Sequence, residues 1–162
     1  DEYATAVGNG AFASSQYSVA IGGSESYETI GYANAVTASG VGAVAIGSNA
    51  TKGAQASGAN SIAIGAESSV AVANAVALGW KASASVANSV ALGSNSITSA
   101  SSGTGYLTSQ ATPTTGSVSV GNGTAAGNRR IQNLADGSAD SYNLSVFEWL
   151  SASCLPQGCC SR

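Results

Sequence analysis

The stretch NSIAIGAESSVAVANAVALGWKASASVANSVALG, Asn60 to Gly93, states one phrase three times: an apolar residue, Ala, a second apolar residue, Gly. Aligned on that glycine, the phrase recurs at Gly8, Gly22, Gly47, Gly65, Gly79, Gly93 and Gly121, at spacings of 14, 25, 18, 14, 14 and 28 residues. Three spacings are one unit and the last reads as two, whereas 25 and 18 contain insertions. A fixed period this short points to a solenoid whose coils bury their inner faces against one another. Fourteen residues are too few for two helices and a turn, but they fit two strands and two tight turns at a rise of about 3.3 Å per residue. The expected fold is all-β, a parallel β-roll of about fourteen residues per coil.

Within a coil the side chains alternate. Val70, Val72, Val76 and Leu78 share one parity, and Ala84, Val86, Val90 and Leu92 repeat it in the next coil. This parity is expected to face inward, placing Val76, Leu78, Val90 and Leu92 in the core. The repeat glycines mark turns that need positive φ, or places where a neighbouring backbone leaves no room for a Cβ. Five residues before the glycine runs a column of Tyr3, Tyr17, Asn60, Asn74 and Asn88. Its asparagines are either an amide ladder between stacked coils or simply good turn residues.

Composition excludes several functions. Only 8% of the 162 residues are charged, the net charge is −3, and between Thr29 and Asn128 the charges are Lys52, Glu67 and Lys81 alone. That is too few for a nucleic-acid track. The absence of His removes His-based triads and His metal sites. Glu25 and Glu28 are the one close acidic pair of the repeats, so neither catalysis nor a cofactor is expected. No apolar run reaches membrane-spanning length and Asp1 opens directly into repeat-like sequence, as in a processed protein or an excerpt of a longer one. The Ala-rich face carries too little charge for an ordinary solvated surface, and association with identical chains would cover it.

Ser99 to Thr115 lose the phrase and read as an insertion, after which GSVSVGNG restores it. Charge and large side chains then arrive together in NRRIQNLADGSADSYNLSVFEWL, where Leu144, Phe147 and Leu150 fit a short helix. Such a segment is placed to cap a solenoid. The organisation expected is a repeat region over 1–127, a junction over 128–147 and a Cys-containing tail over 148–162.

The glycine-phased repeats followed by this junction resemble the head and neck of YadA-like trimeric autotransporter adhesins, over roughly Tyr3 to Phe147. Arg130, Ile131, Asn133, Leu134, Ala135 and Gly137 match the neck pattern in type and order, and Asn143 with Leu144 looks like the step into the stalk. Ser141 and Tyr142 depart from what usually precedes that step, and the likeness ends after Phe147. The resemblance implies a left-handed roll, a homotrimer about a shared axis, and a neck crossing between chains. It implies an exposed passenger on the bacterial surface, delivered by type V secretion. The full-length protein would be anchored in the outer membrane, although this segment is not. The implied role is virulence-associated adhesion to collagen, fibronectin or laminin of the host matrix, or to cells. No particular ligand-binding residue is marked.

Arg129 and Arg130, with Asp136 and Asp140 nearby, suit an interchain ion-pair network in the neck better than an anionic ligand. Trp80 beside Lys81 reads as a lid on its coil or as an exposed anchor for a ligand. The N-x-S/T sequons at Asn49, Asn122 and Asn143 are expected by chance in so Asn- and Ser-rich a chain. Cys154, Cys159 and Cys160 leave three readings open: interchain disulfides, a metal site, or sequence foreign to the repeats. The competing function is a purely structural or ice-binding solenoid. Regular Thr columns would favour it, but Thr5, Thr29, Thr37 and Thr51 share no phase.

Overall fold

A computed structural model describes residues 2–23, 34–48, 50–102 and 115–133. Chain contacts define a roll unit, Asp1–Gly103 with Thr112–Arg129, and a second unit, Thr104–Ala111 with Arg130–Arg162. Of the second unit only 130–133 are described, and these four residues are exposed. The roll unit comprises β1 (Thr5–Val7), β2 (Phe12–Ala13), β3 (Val19–Ile21), β4 (Thr37–Ala38), β5 (Val44–Ile46), β6 (Gln55–Ala56), β7 (Ile62–Ile64), β8 (Ser69–Val70), β9 (Val76–Leu78), β10 (Ser83–Ala84), β11 (Val90–Leu92) and β12 (Val118–Ser119). Odd-numbered strands stack in the order β1-β3-β5-β7-β9-β11 with β12 at the end, and even-numbered strands stack as β10-β8-β6-β4-β2. All pairings are parallel and equivalent residues meet, for instance Ala63 with Ala77 and Ala77 with Ala91. The protein is therefore an all-β parallel solenoid with coils of about fourteen residues, and no α-helix occurs among the described residues.

The core is made of small residues, which corrects the expected inward face. Ala20, Ala45, Ala63, Ala77 and Ala91, the central residues of the repeated phrase, are wholly buried, whereas Leu78 and Leu92 are 41% and 42% exposed. Val76 and Val90 are half-buried and share the outer face with the leucines. The inward positions recur every seven residues: Ser61 and Ala63, Ser68 and Val70, Ala75 and Ala77, Ala82 and Ala84, Ser89 and Ala91, Ser96 and Thr98. Each coil is thus two seven-residue halves, each made of a corner and a strand. Because seven is odd, alternation inside one strand inverts across the corner, so Val70 points in while Val76 and Leu78 point out.

The corners themselves repeat at seven. Asn60, Glu67, Asn74, Lys81, Asn88 and Asn95 have φ between 53° and 59°, the left-handed region that Asn tolerates best among non-glycine residues. At the glycine corner both expected constraints coincide. Gly79 has φ +133°, and a Cβ there would come within 2.6 Å of the Gly93 carbonyl carbon. Gly121 differs: its φ is not positive, and a Cβ on it would meet Asn128 Oδ1 at 2.6 Å.

Insertions enter only at corners. Val19 pairs with Val44 and Val44 with Ile62, so the extra residues lie after Gly22 and after Gly47. The spacing of 28 is one coil, not two, because Val90 pairs directly with Val118 and Ser83 bridges Ile97. The additional residues fall between Thr98 and Gly116, within the segment expected as an insertion.

Candidate binding surface

Outward from the small-residue core, the long-strand sheet presents two continuous aliphatic columns. Register places Val19, Val44, Ile62, Val76, Val90 and Val118 in one, and Val7, Ile21, Ile46, Ile64, Leu78 and Leu92 in the other. Val7, Ile21, Leu78, Leu92 and Val118 count among the exposed large hydrophobics of the single chain. The uncovered face is therefore Val-, Ile- and Leu-rich; the Ala-rich set expected there is the core. Contiguous apolar area of this kind on one chain marks a surface that associates.

The corner ahead of the long strands forms a different ledge. Tyr3 and Tyr17 stack with ring centroids 5.3 Å apart and planes 3° from parallel. Gly42 takes the same position in the next coil with φ 66°. Below it Asn60 Nδ2 donates to Asn74 Oδ1 at 3.4 Å, and Asn74 Nδ2 donates to Asn88 Oδ1 at 3.2 Å. The asparagines are thus both turn residues and an amide ladder.

At the opposite corner the Lys81 ammonium lies 3.4 Å from the Glu67 carboxylate and 4.5 Å from the centre of the Trp80 ring. Trp80 is 46% exposed at this corner, so it is no lid over the core. Thr51 donates to the other oxygen of Glu67 at 3.3 Å. These contacts form a short surface network of modest strength. Among the described residues no three His, Cys, Asp or Glu side chains come together in a group that could hold a metal.

The end of the roll carries the remaining expected residues. Arg129 Nη1 donates to Ser96 Oγ at 2.9 Å and to the Val120 carbonyl at 3.0 Å, and Nη2 donates to the Ser94 carbonyl. Arg130, Ile131 and Asn133 are exposed, and Asn133 has φ 57°. Leu134, Asp136, Gly137, Asp140, Asn143, the helix expected around Phe147, and Cys154, Cys159 and Cys160 lie outside the described residues, as do Glu25, Glu28 and Asn49. Of the sequons, Asn122 is described, and its Oδ1 accepts from both the backbone and the hydroxyl of Thr124.

The profile of the YadA head domain repeat matches residues 2–24, 37–51, 52–68 and 73–96, in phase with the coils of the roll. The chain belongs to the YadA head family. A search of curated proteins returned no match. Membership makes this an adhesin-type head of a trimeric autotransporter, a class whose passengers are exposed at the surface and assemble as trimers. The YadA-like head consists of the paired columns and corners described above. No helix among the described residues is long and apolar enough to cross a membrane. Sequence reasoning placed the glycines and the Asn column but missed the aliphatic face. The signal for that face was the seven-residue recurrence of Ser and Ala, which fixes the inward positions without reference to the large side chains.

Proposed function

We propose that three copies of this head pack their aliphatic sheet faces around a common axis, and that the assembled rod binds host matrix proteins or cell surfaces. The observation that carries the reading is the pair of unbroken Val, Ile and Leu columns on a roll that matches the YadA head repeat. A core chiefly of Ala and Ser, in which Val36 and Val70 are the largest apolar side chains, buries little aliphatic surface per coil. At about 25 cal/mol per Å², most of the available hydrophobic stabilisation lies on the outer columns and is gained when another chain covers them. The remaining outward positions repeat coil after coil, offering an extended partner many weak contacts on each of three chains. Collagen, fibronectin and laminin are partners of suitable form, and multivalency supplies the strength. The work of such a surface is adhesion at the bacterial exterior, without a catalytic step.

Beads coated with the assembled head should be retained on at least one of collagen, fibronectin, laminin or cultured cells more strongly than beads bearing an unrelated trimer. A short monovalent fragment of the retaining ligand should bind far more weakly than the fibre. Equal retention on all four surfaces would end the adhesin reading for this segment.

A further inference from the structure

We infer that Arg129 is the terminal cap of the β-roll, its guanidinium standing where the backbone of one more glycine corner would stand. In successive coils the carbonyl just after the corner glycine accepts a hydrogen bond from the left-handed residue of the next coil: Ala66 from the Lys81 amide at 3.1 Å, Trp80 from the Asn95 amide at 2.8 Å. Ser94 is next in that series, and its carbonyl accepts from Arg129 Nη2. The glycine column ends in the same way. A Cβ on Gly79 would meet the Gly93 carbonyl carbon, whereas one on Gly93 would meet the Arg129 guanidinium carbon at 3.0 Å.

The chain path explains why that space is open to a side chain. The last strand keeps register through Ser119 opposite Ala91, but Gly121 then accepts from the Ile97 amide at 2.8 Å. In the preceding coil the equivalent acceptor, for the Ser83 amide, is Ser96, three residues beyond its corner glycine. The final coil therefore cuts its corner. Residues 122–128 form a closed loop, with the Asn128 amide donating to the Thr124 carbonyl at 2.9 Å and Asn128 Oδ1 accepting from the Gly123 amide at 3.0 Å. That loop returns the chain so that Arg129 covers the vacated corner. A guanidinium is planar, with several in-plane donors, and so reproduces a peptide group's footprint and reaches Ser94, Ser96 and Val120 together; an ammonium also donates, but from a single point without the planar footprint.

The test is hydrogen–deuterium exchange of the full chain, read in peptides spanning 93–98 and, as an internal reference, 61–66. Arg129→Ala should speed exchange at 93–98 by about tenfold or more, the loss expected for a charge-assisted hydrogen bond, and leave 61–66 unchanged. Arg129→Lys keeps the charge and the stem and should be as fast as Arg129→Ala, while millimolar guanidinium should restore protection to the alanine variant. Arg130→Ala, at an exposed neighbour, should exchange like the parent. Wild-type exchange in Arg129→Lys or Arg129→Ala, or equal acceleration in Arg130→Ala, would overturn the assignment.

Discussion

Ser61 and Ser68 occupy equivalent inward positions seven residues apart, and both are fully buried. Ser68 Oγ donates to the Gly65 carbonyl at 2.7 Å, while Ser61 Oγ has no partner. A buried hydroxyl left unpaired costs about 1–3 kcal/mol, and a made hydrogen bond contributes about 1 kcal/mol. The same substitution should therefore act with opposite sign at the two sites. Ser61→Ala should raise the melting temperature and Ser68→Ala should lower it, as followed by circular dichroism. The alanines already present at Ala43 and Ala75, in the coils on either side of Ser61, show that this column accepts a methyl group. A fall in melting temperature for both variants would mean that Ser61 is paired in solution.

At the scale of the element, the asparagine ladder has a direction, because each amide donates toward the C-terminal coil. Asn74→Asp keeps an acceptor for the Asn60 amide but removes the donor to Asn88 and sets a carboxylate against its carbonyl oxygen, so at this exposed corner it should destabilise by about 0.5–1.5 kcal/mol. Asn88→Asp keeps an acceptor facing the Asn74 amide and strengthens it with charge, so it should be neutral or stabilising. Urea denaturation of the two variants checks the polarity, and equal destabilisation would contradict it. This ladder was legible in the sequence because Asn60, Asn74 and Asn88 recur where the backbone is left-handed, whereas Tyr3, Tyr17, Glu67 and Lys81 adopt the same conformation without announcing it in residue type. The strands between corners were legible only in part. Alternation identifies which residues share a face of one strand, but the sign of that face depends on the number of residues in the turn. An odd half-coil reversed the assignment for Val76, Leu78, Val90 and Leu92. Likewise, a spacing of 28 cannot distinguish two coils from one coil with a long corner; only the pairing of Val90 with Val118 does so.

For the whole molecule, the inner and outer columns have separable tasks. Ala77→Leu forces a larger side chain into a site with no exposure and should cost the single roll about 1–3 kcal/mol, whether or not it assembles. Leu78→Asp lies on the outer face and should leave the roll's circular dichroism intact while reducing the mass measured by light scattering from trimer to monomer. An unchanged mass for Leu78→Asp, with wild-type mass trimeric, would place the interchain contact elsewhere. Composition raised the expectation of assembly, since so little charge protects the surface, but which aliphatic face lies uncovered on the single roll shows only in the strand register.

The in-register stacking also makes the chain a ruler. The long-strand sheet has seven strands, hence six steps, and at about 4.8 Å per step these span about 29 Å. Residues added at a corner leave that span unchanged, as the extra residues after Gly22 and Gly47 and before Gly116 show by preserving the pairing on either side. Residues added in whole units of fourteen extend it by one step each. Length and side-loop chemistry can thus vary independently: duplicating a unit lengthens the roll by a fixed increment, and lengthening a corner changes what is displayed at a given level of the stack.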